Sequence, residues 1–280
     1  MKKNIIGSSL AILSILFAAC STKNSSDHTL QFERIEMERQ AHLLNDISAP
    51  YCDFKVKIEY PTKGDSTLIQ KINYRITEFV LGEKYCDLSP THAVSTYIEQ
   101  GAKEYYDEVE ETYKADVASA DSPEAVGSWY NYTYGIDSKV NYYKGNLLVI
   151  QNNSDFYTGG AHGMYFFTFM NLDLENDTQL GLKDVFKGSY EEELTKQLWK
   201  NLATQQKVNS IDELKEMGYG LIGELKPIEN FSLNETGITF VYNPYEIAPY
   251  AMGITEIFIS FQEINHLLNK ENSIIKQLLN

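Results

Sequence analysis

The residues best placed to do chemistry sit in two short loops. The first is Tyr157-Thr158-Gly159-Gly160-Ala161-His162-Gly163, with three glycines in five residues around one histidine. Glycines at that density permit left-handed turns or close approach of a ligand to the backbone, and His162 there offers a hydrogen-bonding tip or a pH-sensitive contact. The bland reading is a tight connection in which Gly159, Gly160 and the histidine only shape the chain. The second loop follows Tyr242 and holds Pro244, Tyr245, Pro249 and Tyr250. Two prolines keep it out of a central strand and stiffen it, so three tyrosines on a rigid loop could form a contact platform or a packed crossover.

Other chemistry is poorly supported. The five histidines, His28, His42, His92, His162 and His266, show no metal-ligand spacing, and no Gly-x-Ser-x-Gly elbow is present. Gly218-Tyr219-Gly220-Leu221-Ile222-Gly223 satisfies a bare phosphate-loop pattern, but a charged segment precedes it and Pro227 follows it where a strand and a helix are needed. No catalytic residue, metal or cofactor is predicted. With 39 acidic against 24 basic residues the formal charge is −15, and no basic stripe supports nucleic-acid binding. An acidic body instead suits a cationic partner or simple solubility. Tyrosine is abundant, 20 against 2 tryptophans, which favours glycan or protein contact surfaces as well as half-buried strands.

The N-terminus carries an address. Lys2 and Lys3 precede an apolar run ending Leu16-Phe17-Ala18-Ala19-Cys20, a secretory signal of the bacterial lipoprotein type. Residues 1–19 would be removed, and Cys20 would carry acyl chains that anchor the protein in the membrane. Ser21 rather than Asp follows the cysteine, which in a double-membraned cell points to the outer membrane. Residues 20–49 read as a polar tether and a lead-in, the latter a weak helix or extended segment. The compartment permits a disulfide, and Cys52 and Cys86 each fall at the end of an element. A bridge between them is expected over two buried free thiols, contributing about 4 kcal/mol by loop-closure entropy.

The elements that must position these loops follow from periodicity. Phe54, Val56, Ile58 and Tyr60 alternate with charged residues, predicting a half-buried strand. Leu68, Ile72 and Ile76 are spaced for a helix ending at Gly82, and Val94 to Tyr113 carry a longer helical stripe starting at Ser89-Pro90. Strands are predicted over 129–136 and 140–150, joined near Asp137-Ser138, and over 165–174. A helix over 190–204, strands over 228–233, 238–242 and 254–261, and a C-terminal helix over 263–279 complete the order. Strands and helices are grouped rather than alternating, so the fold class is α+β, antiparallel sheets with packed helices in two closely associated subdomains. The join is placed at 158/159, giving units 50–158 and 159–280.

The first loop, Asn171-Leu172-Asp173-Leu174 with Leu182-Lys183-Asp184-Val185-Phe186, and the run from Tyr242 to Gly253 together resemble one bacterial family. It comprises paired extracytoplasmic domains of unknown function. They occur in the ectodomain of the anti-sigma factor RsiV, which binds lysozyme, and in the N-terminal region of the peptidoglycan deacetylase PdaC. The resemblance spans Cys52 to Leu268 and implies a PdaC-like first unit, an RsiV-like second unit and a binding module outside the cytoplasm. The sequence-level expectation is a lipid-anchored envelope protein that binds cell-wall glycan or a lysozyme-like protein without catalysis. A hydrolase of envelope polymers and an envelope scaffold are the alternatives. The candidate ligand contacts are Tyr157, Gly159, Gly160, His162, Tyr242, Tyr245 and Tyr250.

Overall fold

The computed structural model describes residues 30–121 and 126–280. Cys20 and the signal and tether segments lie outside the described residues. No helix among the described residues is long and apolar enough to cross a membrane.

The α+β class holds. A six-stranded sheet runs in the order β1 (Gln31–His42), β2 (Tyr51–Lys63), β3 (Tyr132–Lys144), β4 (Leu147–Tyr157), β5 (Met164–Asp173) and β6 (Thr178–Gln179). All neighbours are antiparallel except β2 and β3, which are parallel. Two helices supply the crossover that parallel pairing requires. These are α1 (Ser66–Leu81) and α2 (Pro90–Ser119). Asp65 caps α1 by accepting from the Leu68 amide, and Gly82 ends it at φ +102°. Phe54, Val56, Ile58 and Tyr60 point from β2 into the core beneath these helices. Gly101 lets α2 approach closely, because a Cβ there would stand 2.7 Å from the Phe54 ring.

The second half adds short helices α3 (Leu182–Val185), α4 (Glu191–Gln206), α5 (Ile211–Met217) and α6 (Ser273–Leu278). It also adds a three-stranded antiparallel sheet of β7 (Phe231–Leu233), β8 (Gly237–Tyr242) and β9 (Thr255–Ser260). Leu194, Leu198 and Leu202 of α4 join its core. Two hydrophobic cores thus lie on opposite faces of the large sheet. On β4, Leu148 and Ile150 belong to the core beneath α1 and α2, while Leu147 and Val149 belong to the core shared with β7–β9. That is why residues 147–150 read as a continuous apolar run.

Three asparagines join the small sheet to β5. Asn171 donates to the Phe231 carbonyl at 2.7 Å and accepts from the Leu233 amide at 2.9 Å. Asn230 accepts from the Phe169 amide and donates to the Phe167 carbonyl, and Asn243 accepts from the Phe167 amide at 2.7 Å. Strand β6 pairs with only the last two residues of β5. The side-chain amides therefore satisfy an edge that would otherwise bury open backbone groups.

Several expectations change. The lead-in is β1, paired with β2 along its whole length, with Ile35 opposite Ile58 and Met37 opposite Val56. The boundary at 158/159 falls in the hairpin loop between β4 and β5, paired neighbours of one sheet. Asp137-Ser138 is no turn: β3 runs through it, with a bulge at Asn141, and the chain reverses at Gly145 with φ +55°. The C-terminal helix is confined to Ser273–Leu278, because Asn272 turns its side chain onto the Ile274 and Ile275 amides and starts the helix there. The run Gly218 to Gly223 follows a helix, and Gly218 is the left-handed cap of α5, which is the wrong context for a phosphate cradle.

Candidate functional site

The β4–β5 loop and the β8–β9 loop meet, and they bring His162, Tyr245 and Tyr250 together. The His162 and Tyr250 rings stack with centroids 4.1 Å apart and planes 25° from parallel. Tyr245 lies 5.7 Å from Tyr250 and 6.5 Å from His162. Tyr165, at the start of β5, meets Tyr250 edge-on at 5.8 Å.

Polar groups orient the rings. The Tyr250 hydroxyl donates to the Gly163 carbonyl at 2.8 Å. His162 Nδ1 stands 2.9 Å from the same carbonyl, which can only accept, so Nδ1 carries the proton in this contact. Nε2 is then the acceptor for the Tyr245 hydroxyl, 3.4 Å away. The cluster is a preorganised aromatic surface with its hydrogen-bonding edges partly committed to the scaffold.

The backbone explains the glycines. Gly159 has φ +83°, and a Cβ there would overlap the carbonyl oxygen of Trp129. A Cβ on Gly163 would come within 2.9 Å of the Phe156 carbonyl oxygen. Gly160 is exposed and meets nothing closer than 3.9 Å, so it shapes no contact of its own. In the other loop, Asn243 and Glu246 tie the chain back, the Asn243 amide donating to Glu246 Oε2 at 2.6 Å. That turn holds Tyr245 at φ +71°, a left-handed conformation rare outside glycine, with its side chain 45% exposed.

Two of the expected contacts lie elsewhere. Tyr242 ends β8 with its ring in the core, 1% exposed, and its hydroxyl donates to the Lys226 carbonyl at 2.7 Å. Burial pushes its phenol pKa up strongly. It cannot face a ligand. Tyr157 ends β4 opposite Thr133, on the sheet beside the cluster rather than within it. Tyr165 was missed because its position reads only as a strand residue; its place two residues after Gly163 was the available signal.

Cys52 and Cys86 are free thiols, which corrects the expected bridge. Cys52 is fully buried near the start of β2, and burial raises its pKa to about 12. The Cys86 sulfur sits 3.7 Å from the Tyr74 carbonyl. It also stands near the Gly82 carbonyl after α1, whereas Cys52 is held in the sheet opposite Ala41 and Tyr132, so the two thiols face different partners. Among the described residues no three His, Cys, Asp or Glu side chains gather into a group able to hold a metal ion.

The ring cluster lies where the β4–β5 and β8–β9 loops meet. Two family models match the chain. The model described as Deacetylase PdaC matches residues 51–165, and the model described as Protein of unknown function (DUF3298) matches residues 183–262. His162 and Tyr165 come from the first match and Tyr245 and Tyr250 from the second.

A crystal structure of a DUF3298 family member from Bacteroides fragilis is 40% identical, with a TM-score of 0.86 over 90% of this chain and 98% of that one. The chain belongs to the DUF3298 family. A DUF3298 protein from Pseudomonas aeruginosa shares the fold at 20% identity, with a TM-score of 0.56 over 87% of this chain and 96% of its own. No curated protein matches the chain.

Proposed function

We propose that this is a lipid-anchored protein of the cell envelope that binds cell-wall glycan on the His162–Tyr245–Tyr250 cluster. The observation that carries the reading is the stack of the exposed His162 ring on the half-buried Tyr250 ring, both held by the Gly163 carbonyl. Such rings offer an apolar face and a polar rim at little entropic cost, which suits the alternating C–H and hydroxyl faces of a sugar. The anchor rests on the run Ala18-Ala19-Cys20 and the basic, apolar segment before it.

The test is sedimentation of the full-length protein, in detergent, with insoluble peptidoglycan. Tyr245→Ala and Tyr250→Ala are each expected to weaken binding about tenfold, the scale of one lost aromatic contact. Undiminished binding by the double variant would overturn the reading. Release of soluble fragments during the assay would instead make the protein a hydrolase.

A second reading is capture of a basic protein such as a lysozyme-like enzyme, and the formal charge of −15 is the observation that favours it. It requires an association rate that falls steeply between low and physiological salt.

A further inference from the structure

We infer that the glycan does not end at the ring cluster but continues across the open face of the six-stranded sheet, along a row from Tyr165 over Asp155 to Gly135. The inference rests on the glycan reading above and extends it to chain length. The row is set by register: Tyr165 pairs with Asp155, Asp155 with Gly135, and Gly135 with Lys55, so these positions share one face of four successive strands. Tyr165 also touches Tyr250, so the row joins the ring cluster without a break.

This face is open where it meets the cluster. On the same side of β4, Leu147 and Val149 are buried against the β7–β9 core, but Gln151, Asn153 and Tyr157 are only half-buried and Asp155 is exposed. On β4 the second layer stops at Val149, whereas on β5 it continues over Phe169 and Phe167, which leaves a floor beside a wall. Gly135 lies in mid-strand on that floor, and the Asp155 carboxylate occupies the space a Cβ there would take, so the missing side chain lets Asp155 lie across β3 within the row.

The chemistry of the floor suits a hydroxyl- and amide-rich chain. Arg34 pairs with Asp137, Lys57 with Glu36 and Lys55 with Asp53, while Asp155, in the middle of the row, is exposed and in no ion pair among the described residues, which leaves its carboxylate as an acceptor for sugar hydroxyls. Gln151 donates to Asn153 Oδ1 at 2.8 Å, which uses one donor and one acceptor of the two amides. Gln151 Oε1 and Asn153 Nδ2 keep their capacity for sugar hydroxyls or acetamido groups. Strands lie about 4.8 Å apart, close to the length of one pyranose unit, so the face takes roughly three units beyond the cluster.

The experiment compares chitobiose with chitohexaose by titration calorimetry, using the full-length protein in detergent. The wild type is expected to bind the longer chain at least about tenfold more tightly. Asn153→Ala with Asp155→Ala should remove about that tenfold from chitohexaose and leave chitobiose unchanged, while Tyr250→Ala weakens both. Gly135→Val, whose side chain would displace the Asp155 carboxylate from the row, should act like the double variant and guards against misfolding of either one. If both saccharides bind equally and only Tyr250→Ala matters, the ring-cluster reading stands and the extended row is overturned. If neither saccharide binds the wild type, both readings fall.

Discussion

The two halves of β4 are built under opposite conditions. Leu147 to Ile150 are sealed on both faces, one by the helices and one by the small sheet. From Gln151 to Tyr157 the same strand keeps its pairing with β3 and β5 but loses the cover on one side. The residue pattern changes at that point from the apolar run Leu147–Ile150 to the polar run Gln151–Asp155. The difference teaches where to look for function in this fold: the candidate site begins where the second layer ends.

The largest contrast expected between covered and open positions is in thiol reactivity. Cys52 lies under α2 on the sealed side and Cys86 is only half-buried. A thiol reagent should modify Cys86 in the native protein and Cys52 at least about a thousandfold more slowly, since reaching Cys52 requires unfolding. Denatured, unreduced protein should show two labelled cysteines per chain; none would restore the disulfide.

Within β4, Leu147→Ala should cost about 3 kcal/mol in urea unfolding, whereas Asn153→Ala should stay within about 0.5 kcal/mol. Similar losses at both positions would erase the distinction between sealed and open halves. At the seam between sheets, Asn171→Ala should cost about 2 kcal/mol, because it leaves the Phe231 carbonyl and the Leu233 amide buried without partners.

Much of the frame was legible in sequence because burial there is one-sided and periodic. Leu68, Ile72 and Ile76, bracketed by Asp65 and Gly82, specify α1, and the alternation from Phe54 to Tyr60 specifies β2. β1 was obscured because Glu33, Arg34, Glu36, Glu38 and Arg39 place charge on both faces of an edge strand, and only pairing with β2 makes it a strand. The two loops of the site stood out through glycine, proline and tyrosine. Their meeting did not, nor did Tyr165 as a member, since register and strand order decide which loops share an end of the sheet. The same gap misled the cysteine pairing: being at the end of an element says nothing about which groups the thiol meets. Tyr242 was misassigned although it continues the buried alternation Ile238, Phe240 and Tyr242 on β8.

The single parallel pairing in the large sheet also sets a schedule. Cys52 must wait for Tyr132, on the far side of two helices, before β2 gains its second neighbour, whereas β3, β4 and β5 close through short local reversals. Closing a long loop precedes any gain from the contacts it allows, so non-local pairing is the slow step of assembly. A chain emerging N-terminus first therefore presents the β1–β2 hairpin with one open edge until β3 arrives. Folding of this protein is governed by how long that edge is left unguarded.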